Sequence, residues 1–338
     1  MSQQVIDAPI HRSTSLIDQI RSGLAACLRI PEGSITIPRN VDKYHDKSAP
    51  EESNPALEEV FRLMWALNER GLSDREIGST PLHRKPLIAA LDQVLDDIAD
   101  QLGGEPLQYT ELGPEPVKTK YILRSLRDRE VDIRRYNGVD INPASRETMR
   151  RELSPVVPPE RFFYQQTLFE KLGERDYRVP GVRNLVTMLG FEEGNEHPAV
   201  VDTMLDRILQ PGDLFLSEMQ VLSDSGWHPI FNFYQNDLMR RFSKIALERN
   251  RPEVDSDYGI YLVPLSLGTD GAPTMAAVTA EHIRGAQGTE DSIFITNYCL
   301  KFALDEYRRL RENSGNLKVL AQRRTADGSV VFQLSQRL

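Results

Sequence analysis

The chain has 338 residues, a formal net charge of −9 and 40% apolar residues, which suits one large water-soluble domain or two smaller ones. It shows no run near the roughly 18 apolar residues of a membrane span and no basic-then-apolar start of a secretory signal, so the cytoplasm is the expected compartment and no membrane contact is expected. Its acidic balance argues against a nucleic-acid partner, while Cys27 and Cys299, too far apart, and six histidines, none at i, i+4 beside a glutamate, argue against a disulfide framework or a metal site.

Residues 1–104 read as helical. Leu16, Ile20, Leu24 and Leu28 recur every four residues, with Ile17 alongside. Leu57, Val60, Phe61, Met64 and Leu67 follow the 3.6 period behind an Asn54-Pro55 cap and first-turn proline. Leu87, Leu91, Val94, Leu95, Ile98 and Leu102 make a third stripe, which Gly103-Gly104 ends. All three stripes read as core. Residues 37–53, with Pro38 and Pro50, read as a loop. The first 105 residues hold 11 Lys+Arg against 17 Asp+Glu, so most of the net charge lies here.

From Leu107 the texture changes. Strands are predicted at Leu107–Leu112, 133–141, 162–164, 182–189 and 214–219. Helices are predicted between them at 117–126, 144–153 and 198–209. Such alternation marks a parallel sheet flanked by helices. Residues 229–247 are expected to form one long helix. Residues 258–265 and 274–280 read as two strands around Gly268-Thr269-Asp270-Gly271, and 292–296 as a third. A helix at 300–311 follows. Residues 318–324 and 330–334 read as a hairpin across Ala326-Asp327-Gly328. Five parallel units closed by an antiparallel hairpin is the order of class I methyltransferases.

The first strand runs into Glu111-Leu112-Gly113-Pro114-Glu115-Pro116-Val117-Lys118-Thr119. Glycine there lets a ligand approach the backbone, and a helix start presents unpaired N–H groups, as a nucleoside site needs. The same pattern also serves as a plain strand-to-helix turn. Asp140 closes Tyr136-Asn137-Gly138-Val139-Asp140 roughly 20 or more residues later. It is placed either to accept from ribose hydroxyls or to cap the helix after Pro143. Together the two pieces have the spacing of one strand–helix–strand unit.

These two segments and Pro211-Gly212-Asp213-Leu214-Phe215-Leu216 resemble the histidine-specific S-adenosylmethionine (SAM)-dependent methyltransferase family. That family includes ergothioneine-pathway histidine Nα-methyltransferases and fungal dimethylallyltryptophan N-methyltransferases. The resemblance runs from about Tyr109 to the C-terminus and takes in Thr296-Asn297-Tyr298-Cys299-Leu300-Lys301-Phe302. Ile37-Pro38-Arg39 and Tyr44-His45-Asp46 match loosely. The resemblance implies an α/β fold, a Rossmann-like class I methyltransferase sheet built from residues 105–249 and 299–338. A second, smaller substrate-binding domain would comprise the helical residues 1–104 and an insertion, 250–298. It also implies SAM as cofactor and S-adenosylhomocysteine as product. Glu111, Gly113, Lys118 and Thr119 would line the methionine side, Asp140 the ribose and Gln166 the adenine. Thr187 and Met188, at the end of the fourth strand, would also contact the cofactor.

The departures concern the second loop glycine and the substrate. Glu115 stands at the position of that glycine. Gly190 aligns with the family's substrate-holding Asn, and Asn297 and Cys299 with the Glu and Ser that grip histidine. An unpaired buried partner costs roughly 1–3 kcal/mol, so free histidine is not the expected acceptor. Tyr44, Gly190, Trp227, Phe231, Asn297 and Cys299 are the substrate-side candidates. Phe233, Tyr234 and Tyr298 lie nearby in sequence. An amino-acid-derived or indolic small molecule, methylated on N or C in specialised metabolism, is expected.

Glu218, with Asp224 and His228, reads either as an acid/base cluster or as solvated charge, and Glu218 and His228 are the catalytic candidates. Glu192-Glu193 either holds a cationic amine or is surface charge. No basic partner for Cys299 is visible, so it reads as core. Arg308-Arg309 and Arg323-Arg324 read as solvated faces. The protein is expected to be a monomer or homodimer. The alternative is a methyltransferase-like binding or regulatory protein without catalysis. A nicotinamide oxidoreductase is disfavoured, since Gly-x-Gly-x-x-Gly is missing at the first strand.

Overall fold

The computed structural model describes residues 15–38, 55–73, 78, 86–172, 177–224, 226–267, 274–285 and 291–338. Three amphipathic helices come first: α1 (Leu16–Leu28), α2 (Pro55–Ser73) and α3 (Leu87–Leu102), with a short strand β1 (Ile35–Thr36) between α1 and α2. Ser15 caps α1 by accepting from the Asp18 N–H, and Gly103, at φ 56°, closes α3. Every member of the α3 stripe is buried. Asn54 and Tyr44 lie outside the described residues, as does the turn at 268–271.

The alternating region then runs β2 (Leu107–Leu112), α4 (Pro116–Asp128), β3 (Ile133–Asp140), α5 (Pro143–Leu153), β4 (Phe162–Gln166), β5 (Arg183–Met188), α6 (Pro198–Ile208) and β6 (Leu214–Gln220). Two helices follow, α7 (His228–Tyr234) and α8 (Asp237–Asn250), then strands β7 (Ser256–Leu265), β8 (Thr274–Ile283) and β9 (Ser292–Lys301). Helix α9 (Leu304–Glu312) and the hairpin β10 (Leu317–Arg324) and β11 (Val330–Arg337) end the chain.

Among the described residues the strands make two sheets. The larger has the order β10-β11-β6-β5-β2-β3-β4. β2 to β6 are parallel, and β11 runs antiparallel to both β6 and β10. This is a Rossmann-like sheet with the strand order of class I methyltransferases. The chain steps outward from β2 to β4, then returns to β5 on the other side of β2. The crevice outside the carboxyl ends of β2 and β5 is therefore the switch point where such sheets take ligands. The smaller sheet has the order β1-β9-β8-β7, with β1 parallel to β9 and the rest antiparallel.

Two elements depart from the sequence reading. The helix expected over 229–247 is two helices, because Asn236 adopts an extended conformation and its side chain accepts from the Met239 N–H at 2.9 Å. That cap starts α8 afresh. The helix expected from residue 300 begins at Leu304 instead, because β9 keeps its pairing with β8 as far as Met275↔Lys301. β9 thus crosses the 298/299 boundary expected from sequence. Tertiary pairing overrides local propensity there. One buried apolar cluster joins α1 and α3 to both sheets.

Candidate functional site

A cleft of about 320 Å³ lies at the carboxyl ends of the parallel strands. Gly113 forms one lip. Its φ of 72° needs glycine, whereas a Cβ there would meet only ordinary contacts with Phe169 and Glu192. Pro114 and Glu115 follow. Glu115 is the N-cap of α4, its carboxylate accepting from the N–H groups of Val117 (2.8 Å) and Lys118 (2.6 Å). The residue that replaces a loop glycine thus occupies the helix N-terminus itself. Burial pushes Glu115 up to about 7, against the pull of Lys118.

Asp140 stands at the end of β3 and lines the cleft with Ile141 and Asn142. One carboxylate oxygen accepts from the Asn142 N–H at 2.8 Å, and burial raises the group to about 6. Leu168 and Phe169 form a neighbouring shelf. Under the cleft floor, Glu111 accepts from the hydroxyls of Thr119 (2.6 Å) and Tyr136 (3.2 Å), and burial raises it to about 8.

Lys118 reaches the cleft, but its Nζ is bonded to buried Glu218 at 2.5 Å. The same Glu218 oxygen accepts from the Gly190 N–H at 2.8 Å. The pair thereby anchors the turn after β5. Gly190 and Phe191 there both have left-handed backbone, at φ 68° and 67°. For phenylalanine that conformation costs about 1–2 kcal/mol. Phe191 is held in it by bonds from its N–H to the Glu218 carbonyl and to its own carbonyl from Cys299.

The roof comes from α2. Leu57, Val60, Phe61, Met64, Leu67 and Asn68 share one helical face and line the cleft. The stripe read as core is therefore divided between core and cavity wall. Phe233, Tyr234, Met239 and Phe242 from α7 and α8, with Asn297 and Cys299 from β9, complete the wall.

The structure thus gathers Gly113, Lys118, Asp140, Met188, Gly190, Asn297 and Cys299 around one cleft. It places Glu111, Thr119, Thr187 and Glu218 just outside the lining as buried residues. Gln166 is exposed at the end of β4. Trp227 and His228 are exposed at the start of α7, and Phe231 lies beside them, outside the lining. The N-cap of α7 is Trp227, which makes no side-chain cap bond, and His228 is the first residue of the helix. Glu192 lines the cleft, whereas Glu193 is buried in an ion pair with Arg311 and accepts from the Tyr307 hydroxyl. The α2 face, the Leu168–Phe169 shelf and Phe191 were not singled out from sequence. For α2 the signal was present, but a helical apolar stripe is the same for core and cavity.

Cys299 does have a basic neighbour, contrary to the sequence reading: Lys301 Nζ lies 3.0 Å from its sulfur. The expectation missed it because residue 300 was read as the start of a helix. On a strand, positions 299 and 301 share a face.

Among the described residues no helix is long and apolar enough to cross a membrane, and no group of three His, Cys, Asp or Glu is placed to hold a metal. No known family pattern matches the chain, and no curated protein sequence does. The chain is similar in structure to the CcbJ methyltransferase from Streptomyces caelestis, at 14% identity over 73% of this chain and 88% of that one, with a TM-score of 0.38. It is similar to SAM-bound CalS10, an amino pentose methyltransferase from Micromonospora echinaspora, at 14% identity over 73% and 91%, with a TM-score of 0.37. A third is the mitomycin 7-O-methyltransferase MmcR, at 12% identity over 84% and 67%, with a TM-score of 0.40.

Proposed function

We propose that the protein is a SAM-dependent methyltransferase acting on a small, largely apolar acceptor. One observation carries the reading. The switch-point cleft of a sheet with this strand order is bounded by left-handed Gly113 and by Asp140 at the end of β3. The residues suit the cofactor. Gly113 leaves the backbone approachable, Asp140 suits ribose hydroxyls, and the Leu168–Phe169 shelf suits a base. Glu115 and Glu111, both raised by burial, favour a cation beside them.

When bound, SAM supplies a methyl group already activated on a sulfonium. The chain's own work is to orient the acceptor and keep water away from it. The apolar face of α2, with Phe191, Phe233, Tyr234 and Phe242, makes a wall for an aromatic body. Lys118, the one basic side chain among the described lining residues, is neutralised by Glu218, while Glu115, Asp140, Glu192 and Glu196 are acidic. This balance favours a neutral or cationic acceptor, such as an amino-acid-derived or indolic amine, over an anion. Glu192 and Glu196 meet such an amine more directly than Glu218 or exposed His228.

The test is calorimetry with SAM and S-adenosylhomocysteine, followed by turnover on a panel of aromatic amines. Binding is expected, and Asp140→Asn should weaken it at least about tenfold, or roughly 1.4 kcal/mol. Free histidine should not be methylated. Absence of heat with either nucleoside would sink the reading. Binding without catalysis is a second reading, and one observation favours it: Glu115 fills the helix N-terminus beside the cleft. SAM binding with no turnover on any acceptor would select it.

A further inference from the structure

Cys299 and Lys301 make a pair that the proposed methyl transfer does not use. Both project to one face of β9, and Cys299 lines the cleft. Lys301 is fully buried, and among the described residues Cys299, not a carboxylate, is the charged or titratable group acting on its amine. Its Nζ instead lies 3.0 Å from the Cys299 sulfur, over the rings of Phe191 (5.1 Å) and Tyr234 (5.5 Å). The sulfur also faces the Phe191 carbonyl at 3.4 Å. It has room because residue 194 is glycine: a Cβ there would come within 2.5 Å of it.

Among the described residues, the Tyr234 hydroxyl also faces this pair, and burial pushes it well up. Burial also pushes the Lys301 amine below the ordinary lysine range, while the neighbouring thiol opposes this. The amine therefore holds a larger neutral, nucleophilic fraction than a surface lysine does. A buried ammonium without a carboxylate is costly, and a methionine would fill the same space without that cost.

We propose that Cys299 and Lys301 form a redox-responsive covalent couple, in which a peroxide oxidises the thiol and the lysine amine captures the product as a sulfur–nitrogen bond. This goes beyond the methyl-transfer reading and does not depend on it. The sulfur attacks one peroxide oxygen, the O–O bond breaks, and a sulfenic acid and one water result. Neutral Nζ then attacks the sulfur. The S–N bond forms, the S–O bond breaks, and the departing hydroxide takes a proton from nitrogen as a second water. Thiol and amine each lose one hydrogen, and hydrogen peroxide is reduced to two waters. A small thiol attacking the sulfur breaks the S–N bond, releases the lysine amine and leaves a mixed disulfide on Cys299; a second thiol then frees the cysteine and leaves as the small-molecule disulfide. The change falls on the cleft wall, so it alters the surface an acceptor meets.

The experiment uses the full chain carrying Cys27→Ser, since Cys27 is exposed and would be oxidised as well. The protein is titrated with hydrogen peroxide, digested with trypsin without reductant, and mapped by mass spectrometry. Reduced protein is cut after Arg284 and Lys301, giving peptide 285–301. The S–N bond blocks the second cut. Peptide 285–308, lighter by two hydrogens, should replace it, and dithiothreitol should restore cleavage. Dimedone trapping of the sulfenic acid should rise severalfold in Lys301→Arg. Cleavage after Lys301 that persists through the titration overturns the proposal, whether Cys299 stays reduced or passes to sulfinic acid. The mapping needs no change at Lys301, so it holds even if Lys301→Arg folds poorly.

Discussion

The acids around the cleft are held against their ordinary ionisation by burial, with Asp140 at about 6, Glu115 at about 7 and Glu111 at about 8. Their folded pKa values lie above the unfolded ones. They therefore contribute stability that is fully present below about pH 4 and is lost as pH rises through about 6 to 8. The lowered carboxylates, Glu59 and Glu152, act below 4.5 and lie outside that window. Urea midpoints of the protein without added ligand should therefore fall between about pH 5 and about pH 8.5. A flat profile there would contradict the burial argument. A cationic ligand in the cleft should flatten the slope and release protons, which calorimetry in buffers of different ionisation enthalpy would detect. The Lys118–Glu218 pair obeys a different rule. Lys118→Met leaves Glu218 buried with only the Gly190 N–H beside it, and should cost about 3–5 kcal/mol in chemical unfolding. Loss below 1 kcal/mol would mean water reaches the site.

At the level of elements, caps decide where the chain turns. Asn236 separates α7 from α8 and so sets Tyr234 on one side of the cleft and Met239 on another. Asn236→Ala should cost about 1 kcal/mol, read from thermal unfolding. If it costs nothing, the break is held by packing instead. Glu115 does the same for α4, but at a position that borders the cleft. α2 is tied to α8 by the Arg241–Glu59 contacts at 2.6 and 3.0 Å. Its apolar face thereby stays over the cleft, with Asn142 bonding the Leu57 carbonyl at 3.2 Å from the sheet side.

Across the whole molecule, α3 packs on β10 and β11 and carries a bidentate bond from Arg323 to Asp97. A residue read as a solvated charge is thus a tie between the N-terminal helices and the terminal hairpin. Leu95, fully buried in this layer, should lose about 2–5 kcal/mol on substitution by alanine. Because one apolar cluster joins α3 to both sheets, unfolding should stay a single transition. Two separate transitions by circular dichroism and tryptophan fluorescence would show that the two sheets fold independently.

The sequence alone determined the order of strands and helices from β2 to β6 and the polarity of that sheet, because 3.6 and 2.0 periodicities are local and survive without knowledge of partners. It missed β1 and the break between α7 and α8. It also placed Gly113 and Asp140 at strand ends, since strand-to-helix turns carry their own signature. Only tertiary structure decided which apolar stripe was wall and which was core. α2 and α3 are alike in pattern, yet α2 faces a cleft and α3 a sheet. Tertiary structure also decided what each charge meets. Lys118 and Glu218 are 100 residues apart and form one buried pair. Cys299 and Lys301 are two apart, and became neighbours only because pairing with β8 carried β9 through a segment whose local pattern favoured a helix. Backbone pairing and burial are properties of contacts between segments, and no single segment contains them.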